Sequence, residues 1–171
     1  MARSNKLILE LPTHITQWKG RGKDKALFDY PINLNHYRNW HWKVESSIKK
    51  RYCAKMKDAL EILGNLGKIS LKFVLVPYDK KARDRANILS ISEKYFCDAM
   101  VHYGNLEDDN DEFIESTNYL TRYNYDIDEV RNEKSKKNDA GVQINYRVFV
   151  EICFVTNGNP VIIKKQLHDY L

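Results

Sequence analysis

The hydrophobic pattern of this chain predicts an α+β domain: a small mixed β-sheet with two main helices packed on it. Three observations carry that prediction. Two stretches repeat apolar side chains every three or four residues, the period of a helix with one buried stripe. Three others alternate or run continuously apolar, as half-buried and fully buried strands do. The two kinds of segment interleave without an internal repeat, so helices and strands are expected to share one core. At 171 residues, 1–171 reads as a single domain long enough to bury a sizeable interior.

Residues 5–11, Asn-Lys-Leu-Ile-Leu-Glu-Leu, suit a first strand, and Pro12 ends it because proline cannot donate to a ladder. Residues 13–38 contain Gly20, Gly22 and Pro31 among scattered charges and read as an irregular loop that closes on Asn33-Leu34-Asn35-His36-Tyr37. Over 40–63, Val44, Ile48, Tyr52, Met56, Leu60 and Leu63 form one helical stripe, which Gly64 stops. Lys43, Lys49, Lys50, Arg51, Lys55 and Lys57 cover most of its remainder, either as a solvated face or as a flank against DNA phosphates. Residues 68–77 alternate and then become continuously apolar, the clearest strand of the chain. A second helix is expected over 87–103, burying Ile88, Ile91, Tyr95, Phe96, Ala99 and Met100. Residues 112–123 read as a strand. Residues 126–141 are charged and almost free of apolar side chains, so they read as a mobile excursion, and 142–155 return as a long alternating strand.

The formal net charge of +5 is modest, but the charge is segregated. Residues 43–57 and 80–85 are basic and 107–115 acidic, a pattern that suits an anionic partner together with a cation-binding patch. Cys53, Cys97 and Cys153 lie far apart with no CxxC pair and read as free thiols of a reducing compartment. No apolar run approaches the ~18 residues of a membrane span, and the N-terminus does not read as a signal peptide. A cytoplasmic location and no membrane partner are therefore expected. His14, His36, His41, His102 and His168 show no metal-ligand spacing. Trp18, Trp40 and Trp42, with Tyr37, suit either core packing or stacking on exposed bases.

The chemistry concentrates around the second helix. Lys80-Lys81-Ala82-Arg83-Asp84-Arg85-Ala86-Asn87 precedes or opens it, and Glu107-Asp108-Asp109-Asn110-Asp111 follows it. Carboxylates beside basic side chains are what a metal-dependent enzyme acting on a phosphate backbone needs. At 100° per residue, Asn87, Lys94 and Asp98 share one flank. The acidic groups sit at opposite ends of a helix of about 25 Å. They can meet only if the chain folds back, a geometry that a β-α-β unit with neighbouring strands leaves possible. Each feature also has a plainer reading: Asp84 as a helix N-cap, Lys94 with Asp98 as an i,i+4 ion pair, the acidic run as an exposed turn.

Arg83-Asp84-x-x-Asn87, Lys94-x-x-x-Asp98-Ala99-Met100 and Gly104-Asn105-Leu106-Glu107-Asp108-Asp109 together resemble the RusA-type Holliday-junction resolvases, whose pattern is R-D-x-D-N, K-x-x-x-D-A-L and G-x-x-x-D-D. Asn33 to Tyr37 is similar to that family's N-x-x-Y segment ahead of the first helix. The likeness covers most of 5–115 and the final strand, and suggests a divergent phage-type member. It implies a homodimeric endonuclease that binds four-way or branched DNA junctions and cuts paired strands with Mg²⁺, or Mn²⁺ in its place. It also implies Asp84, Asp109 and Asp108 as catalytic and metal-binding groups, and Lys94 as the lysine near the scissile phosphate. Lys49, Lys50, Arg51, Lys80, Lys81, Arg83, Arg85, Asn35 and Tyr37 would face DNA. Two departures stand out. Ala86 occupies the place of a second family aspartate, and Asp84 to Lys94 is about one helical turn longer than the family spacing. Glu93 is the tentative replacement carboxylate; without one, the chain would be a catalytically silent DNA-binding relative.

Overall fold

Strand β4 (Ile69–Pro77) is apolar on both faces from Phe73 onward, and a strand of that kind belongs inside a sheet. In the computed structural model, which describes residues 3–79, 81–122 and 137–156, it lies there: the sheet order is β1-β6-β4-β5. β1 (Arg3–Leu11) and β4 both pair antiparallel with β6 (Tyr146–Thr156), whereas β5 (Ile114–Thr121) runs parallel to β4. The parallel pair is joined by helix α3 (Arg85–His102), which completes a β-α-β unit. Helix α2 (Trp42–Glu61) packs beside α3.

The core lies between these helices and one face of the sheet. Ile69, Leu71, Phe73 and Leu75 of β4 meet Val148, Val150 and Ile152 of β6, and Ile48, Tyr52, Met56 and Leu60 of α2. Leu89, Phe96 and Met100 of α3 are wholly buried in the same cluster. The other sheet face holds a small cluster of Val74, Val76 and Phe149 with Ile8 beside it. Glu151 is buried on that face, and its charge is met by Lys6 at 3.0 Å and Lys72 at 2.8 Å.

Residues 13–38, expected as an irregular loop, instead form a β-hairpin and a short helix. β2 (His14–Lys19) pairs antiparallel with β3 (Ala26–Pro31) across a 3₁₀ turn at Gly22–Asp24. Alternation inside this segment sends Ile15 and Tyr30 into the core. Gly20 is obligatory at the tip: its φ is +93°, and a Cβ there would lie 2.3 Å from the Asp24 carbonyl oxygen. Helix α1 (Leu34–Tyr37) follows, with Asn33 as its N-cap. The part of the expected excursion over 126–136 lies outside the described residues, and Lys137 forms an isolated bridge with Gln143. The last strand therefore starts at Tyr146 rather than 142. Among the described residues no helix is long and apolar enough to cross a membrane.

Asn105, read in the sequence only as part of a motif, fastens the two helices together. It is fully buried, and its amide donates to the carbonyls of Leu60 at 2.8 Å and Gly64 at 2.9 Å, at the C-terminal end of α2. The Leu60 carbonyl also accepts the Leu63 N–H at 3.1 Å, so the side chain adds a second bond at the helix end and ties the following Gly64 to it. Asn105→Ala would remove both bonds, at a cost of about 2 kcal/mol. For a chain of this size that is a fall of roughly 4–8 °C in Tm, measurable by calorimetry. An unchanged Tm would show that water replaces the amide.

Candidate functional site

The first segment of the site follows β3. The Asn33 side chain accepts from the His36 backbone N–H at 3.0 Å and lies 2.9 Å from the His36 ring nitrogen, which fixes the single turn of α1. The second follows β4. Asp84 is the N-cap of α3, its carboxylate accepting from the Asn87 N–H at 3.1 Å. The Asn35 N–H in turn donates to the Asn87 side-chain oxygen at 3.1 Å. One hydrogen bond thus joins segments 52 residues apart in sequence.

Between them lies an open cleft of about 250 Å³, lined by Asn33, Asn35, His36, Arg83, Asp84, Asn87, Ile88 and Tyr146. Arg83 forms its wall. It donates to Asp79 at 2.6 Å and to the Lys81 carbonyl at 3.2 Å, and lies over the Tyr146 ring. The guanidinium beside Asp79 holds that carboxyl below the usual range. Burial pushes the Tyr146 hydroxyl up to about 12, against the opposing pull of Arg83. Lys81 and Arg85 are exposed at the rim, and Lys80 lies outside the described residues. The free N–H groups and positive dipole end of α3 also face this region.

Asp108 and Asp109 are elsewhere. Asp84 follows the exit end of β4, while the acidic turn precedes the entry end of β5, where Ile114 pairs with Ile69. The expectation that neighbouring parallel strands would bring them together fails for a geometric reason. A crossover helix returns the chain to the edge from which the first strand started, so its two flanking loops lie at opposite ends of the sheet. With 18 residues in α3, they stand about 27 Å apart along the helix. In the exposed turn, the Asp109 N–H donates to the Asp108 carboxylate at 2.8 Å, and the Asn110 amide donates to its other oxygen at 2.9 Å.

Glu93 lies midway along α3, nine residues or about 14 Å from Asp84. It accepts from the Tyr119 hydroxyl of β5. Burial, then the negative charges of Glu93, Asp109 and Asp98, push the Cys97 thiol up to about 12. Mid-helix and engaged by Tyr119, Glu93 does not replace the missing carboxylate beside Asp84. Lys94 is exposed, ten residues or about 15 Å along α3 from Asp84. Its i,i+4 partner Asp98 pairs instead with Lys49 of α2 at 2.7 Å.

The basic face of α2 divides. Lys49 is tied to α3, and Arg51 donates to Gln17 of the hairpin at 3.2 Å, while Lys50 is exposed. Tyr37 is not a free stacking surface: its ring packs edge-on against Trp40 and Tyr95. Trp18 and Trp42 are the exposed ones, at 58 % and 66 %. Asn33, His36, Asp79 and Tyr146 were not singled out as site residues from the sequence; the N-cap position of Asn33 was the readable signal.

Among the described residues no group of three or more His, Cys, Asp or Glu side chains gathers closely enough to hold a metal ion. The cleft nonetheless carries hard oxygen donors, the Asp84 carboxylate and asparagine side-chain amides, beside the His36 ring and the Arg83 guanidinium, and such oxygens suit a divalent cation. The fold and cleft thus define an α+β domain with a polar pocket at one end of a β-α-β unit, flanked by basic side chains. Comparison with known proteins finds no family model and no curated protein that matches the chain.

Proposed function

We propose that this chain is a Mg²⁺-dependent, structure-selective DNA endonuclease that acts on four-way or branched junctions as a homodimer. The observation that carries the reading is the cleft itself. Folding unites Asn33 and Asn35 with Arg83, Asp84 and Asn87, the segments whose pattern resembles the RusA-type resolvases. Mg²⁺ is commonly held by one or two carboxylates, with waters and substrate phosphates filling the rest of its shell. Asp84 would hold it here, with Mn²⁺ as a substitute. When bound, the ion would neutralise phosphate charge and make a coordinated water more acidic.

The remaining work falls to the chain's own groups. Lys81, Arg83 and Arg85 meet the DNA backbone by charge. Arg83 is presented by its contacts with Asp79 and Tyr146, so little side-chain freedom is lost on binding. Asn35 and Asn87 set the position of the first turn of α3, and with it that of the Asp84 carboxylate. For Asp109 to share an ion with Asp84, the acidic turn has to come from a second copy, because α3 holds the two apart within one chain. Lys94, Lys49, Lys50 and the more distant cations serve backbone binding in this reading.

Ala86, and the use of Asp84 as a cap, favour a second reading in which the protein binds branched DNA without cutting it. A synthetic four-way junction separates the two. Paired nicks in Mg²⁺ or Mn²⁺ support the endonuclease, whereas binding without cleavage in both metals supports the silent protein.

A further inference from the structure

We infer that the β2–β3 hairpin is a stacking wedge for unpaired bases at the branch point of DNA, an assignment that rests on the branched-DNA reading and names the element that selects for branching. The hairpin is anchored at its base and bare at its tip. At the base, Ile15 and Tyr30 enter the core, and Gln17 accepts from Ser47 at 2.9 Å and from Arg51 at 3.2 Å. Asp29 accepts from the Asn138 amide. Beside this anchor, Phe28, the register partner of Gln17, is 47 % exposed, and Trp18, one step nearer the tip, is 58 % exposed. Two large aromatic rings left in water together on one fixed ribbon are the unusual observation; Trp42, at 66 %, is the other exposed large aromatic among the described residues.

The strand register gives them their geometry. Phe28 pairs with Gln17, and Trp18 is the next residue along β2, so alternation places the two rings on opposite faces of the ribbon. A thin two-stranded blade with a ring on each face suits insertion between two base stacks, each ring covering one of them. An unbranched duplex offers no such gap without unstacking.

Charge at the tip commits the surface to nucleic acid rather than to an apolar protein partner. Lys19, Arg21, Lys23 and Lys25 surround the rings, with Asp24 as the only acid between Trp18 and Phe28. The Lys19 ammonium lies 5.3 Å from the Phe28 ring centroid and that of Lys25 lies 5.4 Å from the Trp18 centroid. Cations beside stacking rings are the pairing used to bind single strands, the rings taking bases and the cations phosphates. The hairpin also leads straight into the cleft. Two residues after β3 ends at Pro31 comes Asn33, and His14 at the start of β2 lies against Tyr146 of the cleft wall.

The test measures binding and cleavage separately. Equilibrium binding in EDTA compares a four-way junction with a duplex of the same composition, for the intact protein and for Trp18→Ala/Phe28→Ala. The expected result is a junction preference that falls by about tenfold or more in the double variant, with duplex affinity unchanged. Lys19→Gln/Arg21→Gln/Lys23→Gln/Lys25→Gln should instead weaken both DNAs together and flatten the salt dependence. A preference that survives loss of both rings overturns the assignment, as does an intact protein that binds duplex and junction equally. Circular dichroism of the double variant checks the fold, and Trp18→Phe/Phe28→Tyr, which keeps both rings, should restore the preference. Failure of the endonuclease reading looks different: no strand cut in Mg²⁺ or Mn²⁺ while junction preference and its loss in the double variant both persist.

Discussion

Replacing Asp84 with asparagine is expected to reduce junction cleavage by on the order of 10²–10³-fold and leave the fold in place. The choice of asparagine is what makes the result interpretable. Asp84 caps α3 by accepting the Asn87 N–H at 3.1 Å, and asparagine caps about as well as aspartate because its amide oxygen accepts the same bond. What disappears is the negative charge. Its favourable interaction with the helix dipole is worth about 0.3–1 kcal/mol at an exposed end, so Tm should move by no more than roughly 2–4 °C. Asp84→Ala removes charge and cap together and should cost about 1 kcal/mol more. Cleavage rates and melting curves for the two variants therefore separate the roles. If Asp84→Asn cuts like the intact protein, Asp84 is only a cap, and the carboxylate that matters lies elsewhere.

That ambiguity was present in the sequence because one residue type serves both purposes. Other parts were easier to read. The stripe from Ile48 to Leu60 and the apolar run of β4 are set by the two regular periods, and both elements stand within two residues of where those periods place them. The hairpin was hidden because Gly20, Gly22 and Pro31 punctuate the segment, and such punctuation reads as an irregular loop. The glycines make its tight tip, and the alternation that buries Ile15 and Tyr30 was visible beneath them. Helix α1 is one turn long and so has no period to detect.

At the site, the chemistry of the residues was legible and their distances were not. Nothing in a one-dimensional string says that Asn35 meets Asn87, or that Asp98 prefers Lys49 to the Lys94 one turn away. These contacts depend on how α1 and α2 pack on α3, which local periodicity leaves open. The same limit explains the misplaced acidic turn. Adjacent parallel strands were foreseen, but their consequence for the two flanking loops is a property of the crossover's direction, not of its composition.

An equal mixture of Asp84→Asn and Asp109→Asn proteins is expected to regain about one quarter of intact cleavage sites, although each variant alone is nearly inactive. The argument runs from the length of α3. Asp84 and Asp109 stand at opposite ends of an 18-residue helix, about 27 Å apart, so no single ion reaches both within one chain. If both act at one centre of a two-fold dimer, each centre takes Asp84 from one protomer and Asp109 from its partner. In freely exchanging mixtures about half the dimers are mixed. A mixed dimer holds one centre with both substitutions and one with neither, which gives the quarter. Its product is also distinctive: the one competent centre leaves a nicked junction, whereas two would release a pair of duplexes. Gel analysis of the products after subunit exchange reads both quantities. Should the mixture stay as inactive as its components, the two aspartates do not share a centre across the dimer. Asp109, at the far end of α3 from Asp84, would then act through the DNA path or the dimer contact and not at the scissile phosphate.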